Sequence, residues 1–144
     1  MRSVIQKKSF NSVKVFYLDK KLLKKKIKEG VKKIIRECKE VEKIVIFGSF
    51  AKKRMTVSSD IDILIIVNSC SEKFLDRALK YKKYFNIGID VDIFVYTIEE
   101  IKNGIPLVET ALREGIIIFE KNNSNLTSDN SQDTKLTKSF LSKF

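Results

Sequence analysis

KIVIFGSFAKKRMTVSSDIDILIIV, residues 43–67, consists of two apolar runs joined by a polar connection. The first run ends at Gly48 and Ser49, and the second begins beside Asp60 and Asp62. Short runs rich in Ile and Val that are bounded by Gly, Ser and Asp are typical of buried strands. The stretch therefore predicts two central strands of a sheet, joined by a turn that brings a Gly-Ser pair near two carboxylates.

The two carboxylates are the first candidate functional groups. Asp60 and Asp62 share one face of a strand because side chains alternate, whereas Ile61 and Ile63 point to the other face. Neighbouring carboxylates repel each other, and a divalent cation removes this repulsion; oxygen ligands favour Mg²⁺ or Mn²⁺ over zinc. A Gly-Ser turn can approach and bind phosphate. Either dipeptide alone is more often an ordinary turn, but the combination is typical of a metal-nucleotide site.

The combined pattern also resembles the signature of a known family. Gly48-Ser49, ten residues and then Asp60-x-Asp62 is similar to the G-S-x(10)-D-x-D motif of DNA polymerase beta-like nucleotidyltransferases. The segments FGSFA (47–51) and SDID (59–62) resemble its small branch, the minimal nucleotidyltransferases, which includes antitoxins paired with HEPN-domain toxins. The resemblance covers roughly residues 19–121. Family members commonly have Arg-Gly after the Ala, whereas this chain has Lys52-Lys53-Arg54.

This resemblance implies a fold and a set of site residues. The expected fold is α/β (α+β), a nucleotidyltransferase fold with a small mixed central sheet flanked by helices. Two Mg²⁺ ions, or Mn²⁺, would be held by three catalytic carboxylates, Asp60, Asp62 and Asp92, the last on the neighbouring strand within DIFVYT. Asp90 is expected at the rim of the site. ATP is the implied donor, and the residues implied to bind it are Gly48, Ser49, Lys52 and Ser59.

The implied function is transfer of AMP from ATP to a hydroxyl group. The acceptor would belong to a partner protein, a HEPN-type toxin, so that the chain would act as the antitoxin of a toxin-antitoxin pair. Two other hypotheses remain open. In the first, the chain is a non-catalytic antitoxin that silences its partner by binding. In the second, it is a basic module that binds nucleic acid; this is less favoured because surface lysines commonly serve only solubility.

Composition limits the alternatives further. The chain has 144 residues, 43% of them hydrophobic, which suits one domain. It has no histidine, which excludes Ser-His-Asp and Cys-His catalysis and histidine zinc sites within this chain. Neither a membrane-spanning apolar run nor a cleavable leader is visible, so we expect no membrane association and a cytoplasmic location. The net charge is +11: residues 1–59 contribute +13, with 18 Lys and Arg against 5 Asp and Glu, and the rest of the chain contributes −2.

The pattern of the remaining chain predicts its domain organisation. Residues 1–18 are expected to be an extension in which Val13–Leu18 forms either an edge strand or a loosely attached N-terminal strand. Residues 19–121 are expected to be the nucleotidyltransferase domain, and 122–144 a disordered polar tail. Apolar residues at three- and four-residue steps predict a helix over residues 20–39, capped by Asp19, in which Gly30 costs about 1 kcal/mol relative to Ala.

Further elements follow from local signals. A short helix is predicted over 49–55, with its N-terminus facing phosphate. Ser71 is predicted to cap a helix with Phe74, Leu75, Ala78, Leu79 and Phe85 on one side. A strand is predicted over Ile89–Tyr96, a capping box at Thr97 and Glu100, a helix over 106–114 ended by Gly115, and a last strand over 116–119.

Overall fold

The computed structural model describes residues 3–10, 13–51 and 60–121 of the chain. The strands are β1 (Ile5–Phe10), β2 (Val13–Leu18), β3 (Val41–Phe47), β4 (Ile61–Val67), β5 (Val91–Thr97) and β6 (Ile116–Glu120). The helices are α1 (Lys20–Glu37), α2 (Phe74–Lys82), α3 (Ile98–Ile101) and α4 (Pro106–Glu114), and a 3₁₀ turn follows α2 over Lys83–Phe85. Among these helices, none combines the length and apolarity needed to cross a membrane.

The central sheet has four strands in the order β5-β4-β3-β6. Strand β3 is antiparallel to both of its neighbours, whereas β4 and β5 are parallel. Parallel neighbours need a long crossover connection, which α2 and the 3₁₀ turn supply here. The mixed sheet with flanking helices confirms the predicted fold class.

The two faces of the sheet are covered by different helices. On one face, alternate residues of β4 such as Ile61 and Ile63 pack into the main apolar core with Leu23, Ile27 and Ile34 of α1. On the other face, Leu64 and Ile66 pack with Val108 and Ala111 of α4. Because side chains alternate along a strand, Asp62 lies on the same face as Leu64 and Ile66. The carboxylate face is therefore the face opposite α1.

Helix α1 begins as the sequence predicts and packs more closely than it predicts. The Asp19 side chain accepts a hydrogen bond from the Leu22 amide at 3.1 Å, which confirms the N-cap. Gly30 is buried, and a Cβ added there would lie 2.5 Å from the Tyr84 carbonyl oxygen. The glycine is therefore not only a weak helix former, since it also allows α1 to approach the 3₁₀ turn.

The N-terminal segment forms a hairpin that the sequence only half predicts. Strand β2 pairs with β1 in a separate two-stranded sheet and not with the edge of the central sheet. Strand β1 was not expected, because residues 1–12 have no apolar period. Val4, just before β1, is fully buried in the main core, and its carbonyl accepts a hydrogen bond from the Asp19 amide at 2.6 Å. The predicted tail, 122–144, lies outside the described residues.

Helix α2 departs from expectation in its start and in its exposed face. Lys73, not Ser71, is the N-cap residue, and no side chain caps the helix. Tyr81 is its one buried residue, and its hydroxyl donates a hydrogen bond to Glu40 at 2.8 Å. Leu75 and Leu79 are 83% and 67% exposed. The apolar side that the sequence suggests is thus largely outside the core.

The C-terminal elements agree with the sequence pattern. Thr97 and Glu100 form the predicted capping box of α3. Pro106 occupies the first turn of α4, and Gly115 follows the end of that helix. These elements bring the chain back into the sheet as β6, next to β3.

Candidate active site

Three segments of backbone converge at one end of the central sheet. In the parallel pairing of β4 and β5, Asp62 and Asp92 are direct partners. On the other side of β4, Asp62 is paired with Phe47, the last residue of β3, so Gly48 follows immediately beside it. Asp60 directly precedes β4. The structure therefore brings together the aspartates and the glycine that the sequence singled out from separate positions along the chain.

The turn after β3 requires glycine at its first position. Gly48 has φ +77°, a conformation that residues with a Cβ rarely adopt. A Cβ at this position would also collide with the Oδ2 atom of Asp62. Gly48 to Ala51, including Ser49, form a turn. The predicted helix therefore does not begin at Ser49, and the rest of that prediction, 52–55, lies outside the described residues.

Asp62 is the least exposed of the three carboxylates. It is half-buried, whereas Asp60 and Asp92 are exposed. Burial raises the pKa of Asp62 above its ordinary value, and the negative charges of Asp92 and Asp60 raise it further. Asp92 and Asp60 thus both lie close enough to Asp62 for their charges to oppose its ionisation. This is the electrostatic setting in which a bound cation lowers the free energy of a site.

The carboxylates of this site provide only some of the ligands that a divalent cation needs. Carboxylate oxygens suit Mg²⁺, which commonly takes one or two carboxylates and completes its coordination with water and substrate phosphate. In the described part of the chain, no group of three or more His, Cys, Asp or Glu side chains is gathered closely enough to form a metal centre. The residues present thus fit an ion that is shared with a nucleotide better than one held by protein alone.

The aromatic floor of the site was not predicted. Phe94, two residues after Asp92, shares its face of β5, and its ring lies 5.8 Å from that of Phe47, measured between centroids. Both rings belong to the apolar cluster on the carboxylate face. The two-residue spacing of Asp92 and Phe94 was the sequence signal that could have placed an aromatic ring on the carboxylate face.

Asp90 lies at the edge of the site. Its carbonyl oxygen accepts a hydrogen bond from the amide of Ile61 at 2.9 Å, which links the loop before β5 to the start of β4. Its side chain is exposed and lines a cavity of about 500 Å³. The other residues lining this cavity are Lys82, Lys83, Phe85, Asn86, Ile89 and Val91. Two other expected nucleotide-binding residues, Lys52 and Ser59, lie outside the described residues.

Comparison with known proteins identifies the family. Residues 29–124 match the family described as "Polymerase beta, Nucleotidyltransferase". Two proteins of Methanocaldococcus jannaschii, each named "Putative protein adenylyltransferase", are 35% and 33% identical to the chain over 97 and 94 residues. These alignments cover 65% and 63% of this chain and 91% and 92% of the relatives.

Similarity to a solved structure supports the fold. A Sulfolobus solfataricus structure described as a "putative nucleotidyltransferase" matches with a TM-score of 0.50 and 22% identity, over 68% of this chain and 80% of that one. A structure described as "toxin-antitoxin with AMP-PNP" matches less closely, with a TM-score of 0.46, 16% identity and coverage of 69% and 74%. Likeness of this degree says nothing about partners. The family match over more than half of the chain, with relatives aligned along most of their length, shows that the chain belongs to the polymerase beta nucleotidyltransferase family and is a nucleotidyltransferase.

Proposed function

We propose that this chain transfers AMP from ATP to a hydroxyl group on a partner protein. The observation that carries the proposal is the direct pairing of Asp62 with Asp92 on parallel strands, with Gly48 against the Asp62 carboxylate. Enzymes that transfer nucleotidyl groups act mainly by positioning the reactants and by stabilising charge on phosphate. A cluster of carboxylates beside a glycine turn supplies sites for both tasks.

In the proposed reaction, the acceptor oxygen attacks the α-phosphorus of ATP. A bond forms between that oxygen and phosphorus, the bond from phosphorus to the oxygen bridging to the β-phosphate breaks, and pyrophosphate leaves. Asp92 accepts the proton of the hydroxyl group, since it is exposed and is the partner of Asp62 in the sheet. Gly48 and Ser49 bind the triphosphate through backbone and hydroxyl groups.

Divalent ions fit this proposal as partners of the carboxylates. Asp60, Asp62 and Asp92 would hold two Mg²⁺ or Mn²⁺ ions together with phosphate oxygens. When bound, such ions stabilise negative charge on the entering and leaving oxygens. Burial and the negative charges of Asp92 and Asp60 raise the pKa of Asp62, which supports this assignment because a cation would offset the repulsion.

The acceptor we propose is a HEPN-type toxin, so that the chain acts as an antitoxin. Two observations support a protein acceptor: the motif resemblance, and relatives, aligned along most of their length, that carry the name of protein adenylyltransferases. ATP is proposed as the donor for the same reason.

The test is a transfer assay with ATP labelled at the α-phosphate. The purified chain, MgCl₂ and the purified product of the neighbouring gene are incubated together, and label on the neighbour is measured. We expect labelling that is lost in Asp62→Asn and on chelation of the metal by EDTA. Glu109→Gln, which removes a carboxylate from an exposed position on α4, is the matched control and should label normally.

Other results would favour the alternative hypotheses. A tight complex with the neighbour that neutralises it, in which no label moves with either Mg²⁺ or Mn²⁺, would show a binding antitoxin and would overturn the enzymatic proposal. RNA binding that weakens steeply as salt rises, together with no effect on the neighbour, would favour the nucleic-acid module.

A further inference from the structure

Helix α2 exposes an apolar face of its own. Leu75 and Leu79, one turn apart, are 83% and 67% exposed, and Phe74 beside them is 45% exposed. The other large exposed hydrophobic residues of the described chain, Ile98 and Leu112, are only 39% and 36% exposed. Leucines spaced by four residues on an exposed helix form a continuous strip. An exposed apolar strip on a short helix is typical of a surface that another protein covers.

We propose that this strip, together with the cavity at the C-terminal end of α2, is the surface on which the acceptor protein docks. The segment that binds is an amphipathic helix of the acceptor. Its apolar side chains pack on Leu75 and Leu79, and its carboxylates contact Lys82 and Lys83. This inference rests on the proposed function, since it names the surface that presents the acceptor hydroxyl to the site.

The strip leads toward the end of the sheet that carries the carboxylates. Lys82 ends α2 and lines the cavity, together with Lys83 and Asp90. The Asp90 carbonyl is hydrogen bonded to the amide of Ile61, which stands between Asp60 and Asp62. A helix lying along α2 would therefore reach the same end of the sheet as the carboxylates. This position favours the acceptor protein as the partner, because the acceptor must present its hydroxyl group at this end of the sheet.

The charge around the strip defines the chemistry of the partner. Arg77 is paired with Glu100 at 2.7 Å, and Lys80 with Glu40 at 2.6 Å. Lys82 and Lys83 are exposed and have no carboxylate partner among the described residues; Lys83 lies over the Tyr84 ring. Two positive charges at the end of an apolar strip favour a partner with apolar residues followed by acidic ones.

The fold does not depend on the exposed leucines. Helix α2 is attached through buried Tyr81, through Arg77, which donates a hydrogen bond to the carbonyl of Val95, and through the contact of the Phe74 and Tyr96 rings. Substitution of Leu75 and Leu79 should therefore leave folding intact. This separation allows docking to be tested apart from stability.

Photo-crosslinking identifies what covers the strip. The photoreactive residue p-benzoylphenylalanine is incorporated at position 75 of the full chain, and at position 112 as the control. The purified product of the neighbouring gene is the probe. We expect a crosslink to the probe from position 75 and none from position 112. A crosslink only to a second copy of this chain, or only within the same chain, would overturn the proposal.

Kinetics provide the second measurement. Leu75→Ser/Leu79→Ser and Lys82→Glu/Lys83→Glu should each raise the KM for the acceptor at least about tenfold, with KM for ATP and kcat at saturating acceptor unchanged. The control for the charge reversal is Lys32→Glu/Lys33→Glu, an adjacent exposed pair on α1, which should leave the KM for the acceptor unchanged. Unaltered KM in both α2 variants would refute the docking surface.

The two proposals fail in different ways. If no label is transferred by the wild-type chain but position 75 still crosslinks to the probe, the docking surface stands and the enzymatic proposal falls. If label is transferred normally and position 75 does not crosslink to the probe, the reverse holds.

Discussion

The Asp62 carboxylate fills the space that a side chain at Gly48 would need. Gly48 also has φ +77°, which costs an Ala roughly 1–2 kcal/mol. We expect Gly48→Ala to lower the free energy of unfolding by about that amount and to reduce AMP transfer at least about tenfold, because the Asp62 carboxylate is displaced. Denaturant unfolding and the transfer assay measure the two effects.

Gly104→Ala is the matched control for this change. Gly104 has φ +76°, but a Cβ there would only touch a Glu109 oxygen at 3.6 Å. It should lose a similar amount of stability and keep full transfer activity. Equal losses of activity in the two variants would show that general destabilisation, not the displaced carboxylate, lowers transfer.

Removal of charge at Asp62 should separate activity from stability. The pKa of Asp62 is raised by burial and by the neighbouring charges of Asp92 and Asp60, so the ionised group is unfavourable in the folded protein without a cation. Asp62→Asn should therefore reduce transfer more than about a hundredfold while leaving the free energy of unfolding unchanged or slightly higher, measured without divalent metal. A marked loss of stability would contradict this account of the site.

Glu100 should make stability depend on pH. A hydrogen bond from the Thr97 amide and the ion pair with Arg77 hold the pKa of Glu100 below the ordinary value of 4.5. The stabilisation is therefore present above that value and is lost as the pH falls through the lowered pKa. Glu100→Gln should cost less than about 1 kcal/mol at neutral pH, because the ion pair with Arg77 is lost while Gln can still complete the capping box, and less in acid. Unfolding free energies across the pH range measure this.

Glu99→Gln supplies the comparison for Glu100. Glu99 lies in the same turn of α3 and is exposed. Its substitution should change stability by only a few tenths of a kcal/mol, through the helix dipole. The Glu100 assignment fails if both variants show the same dependence on pH.

Gly30→Ala should destabilise the protein although alanine is the better helix former. The gain in helix propensity, about 1 kcal/mol, is opposed by a Cβ placed 2.5 Å from the Tyr84 carbonyl oxygen and 3.1 Å from the Phe85 ring. Overpacking of this kind costs roughly 1–3 kcal/mol. We expect a net loss in thermal and denaturant unfolding. Lys33→Ala, at an exposed position of α1, should cause no loss.

The carboxylate end of the sheet was predictable because its residues follow short-range rules. Period-two alternation placed Asp60 and Asp62 on one face, and the short runs of Ile and Val around them, bounded by Gly, Ser and Asp, favoured strands. The pairing of Asp62 with Asp92 joins segments 30 positions apart in sequence, and it was inferred from the resemblance to a family, not from periodicity. Local pattern does not encode which strands are neighbours.

The features that the sequence did not predict correctly depend on tertiary contacts, which cannot be read from periodicity. Leu75 and Leu79 have helical spacing, which is the same for a core face as for a face that a partner covers. Residues 5–10 alternate too weakly to predict β1, which is held by its pairing with β2. Helix propensity alone suggests that Gly30 destabilises the protein. The close approach of Tyr84 shows instead that glycine is needed at this position.

The proposed activity requires the correct register between the parallel strands β4 and β5, because that register pairs Asp62 with Asp92. A slip of one position between the two strands would turn Asp92 toward the interior occupied by Ile63 and Ile65, where an unpaired charge is very unfavourable. Misaligned molecules would therefore be unstable as well as inactive. Quality control that removes unstable chains would remove defective catalysts at the same time.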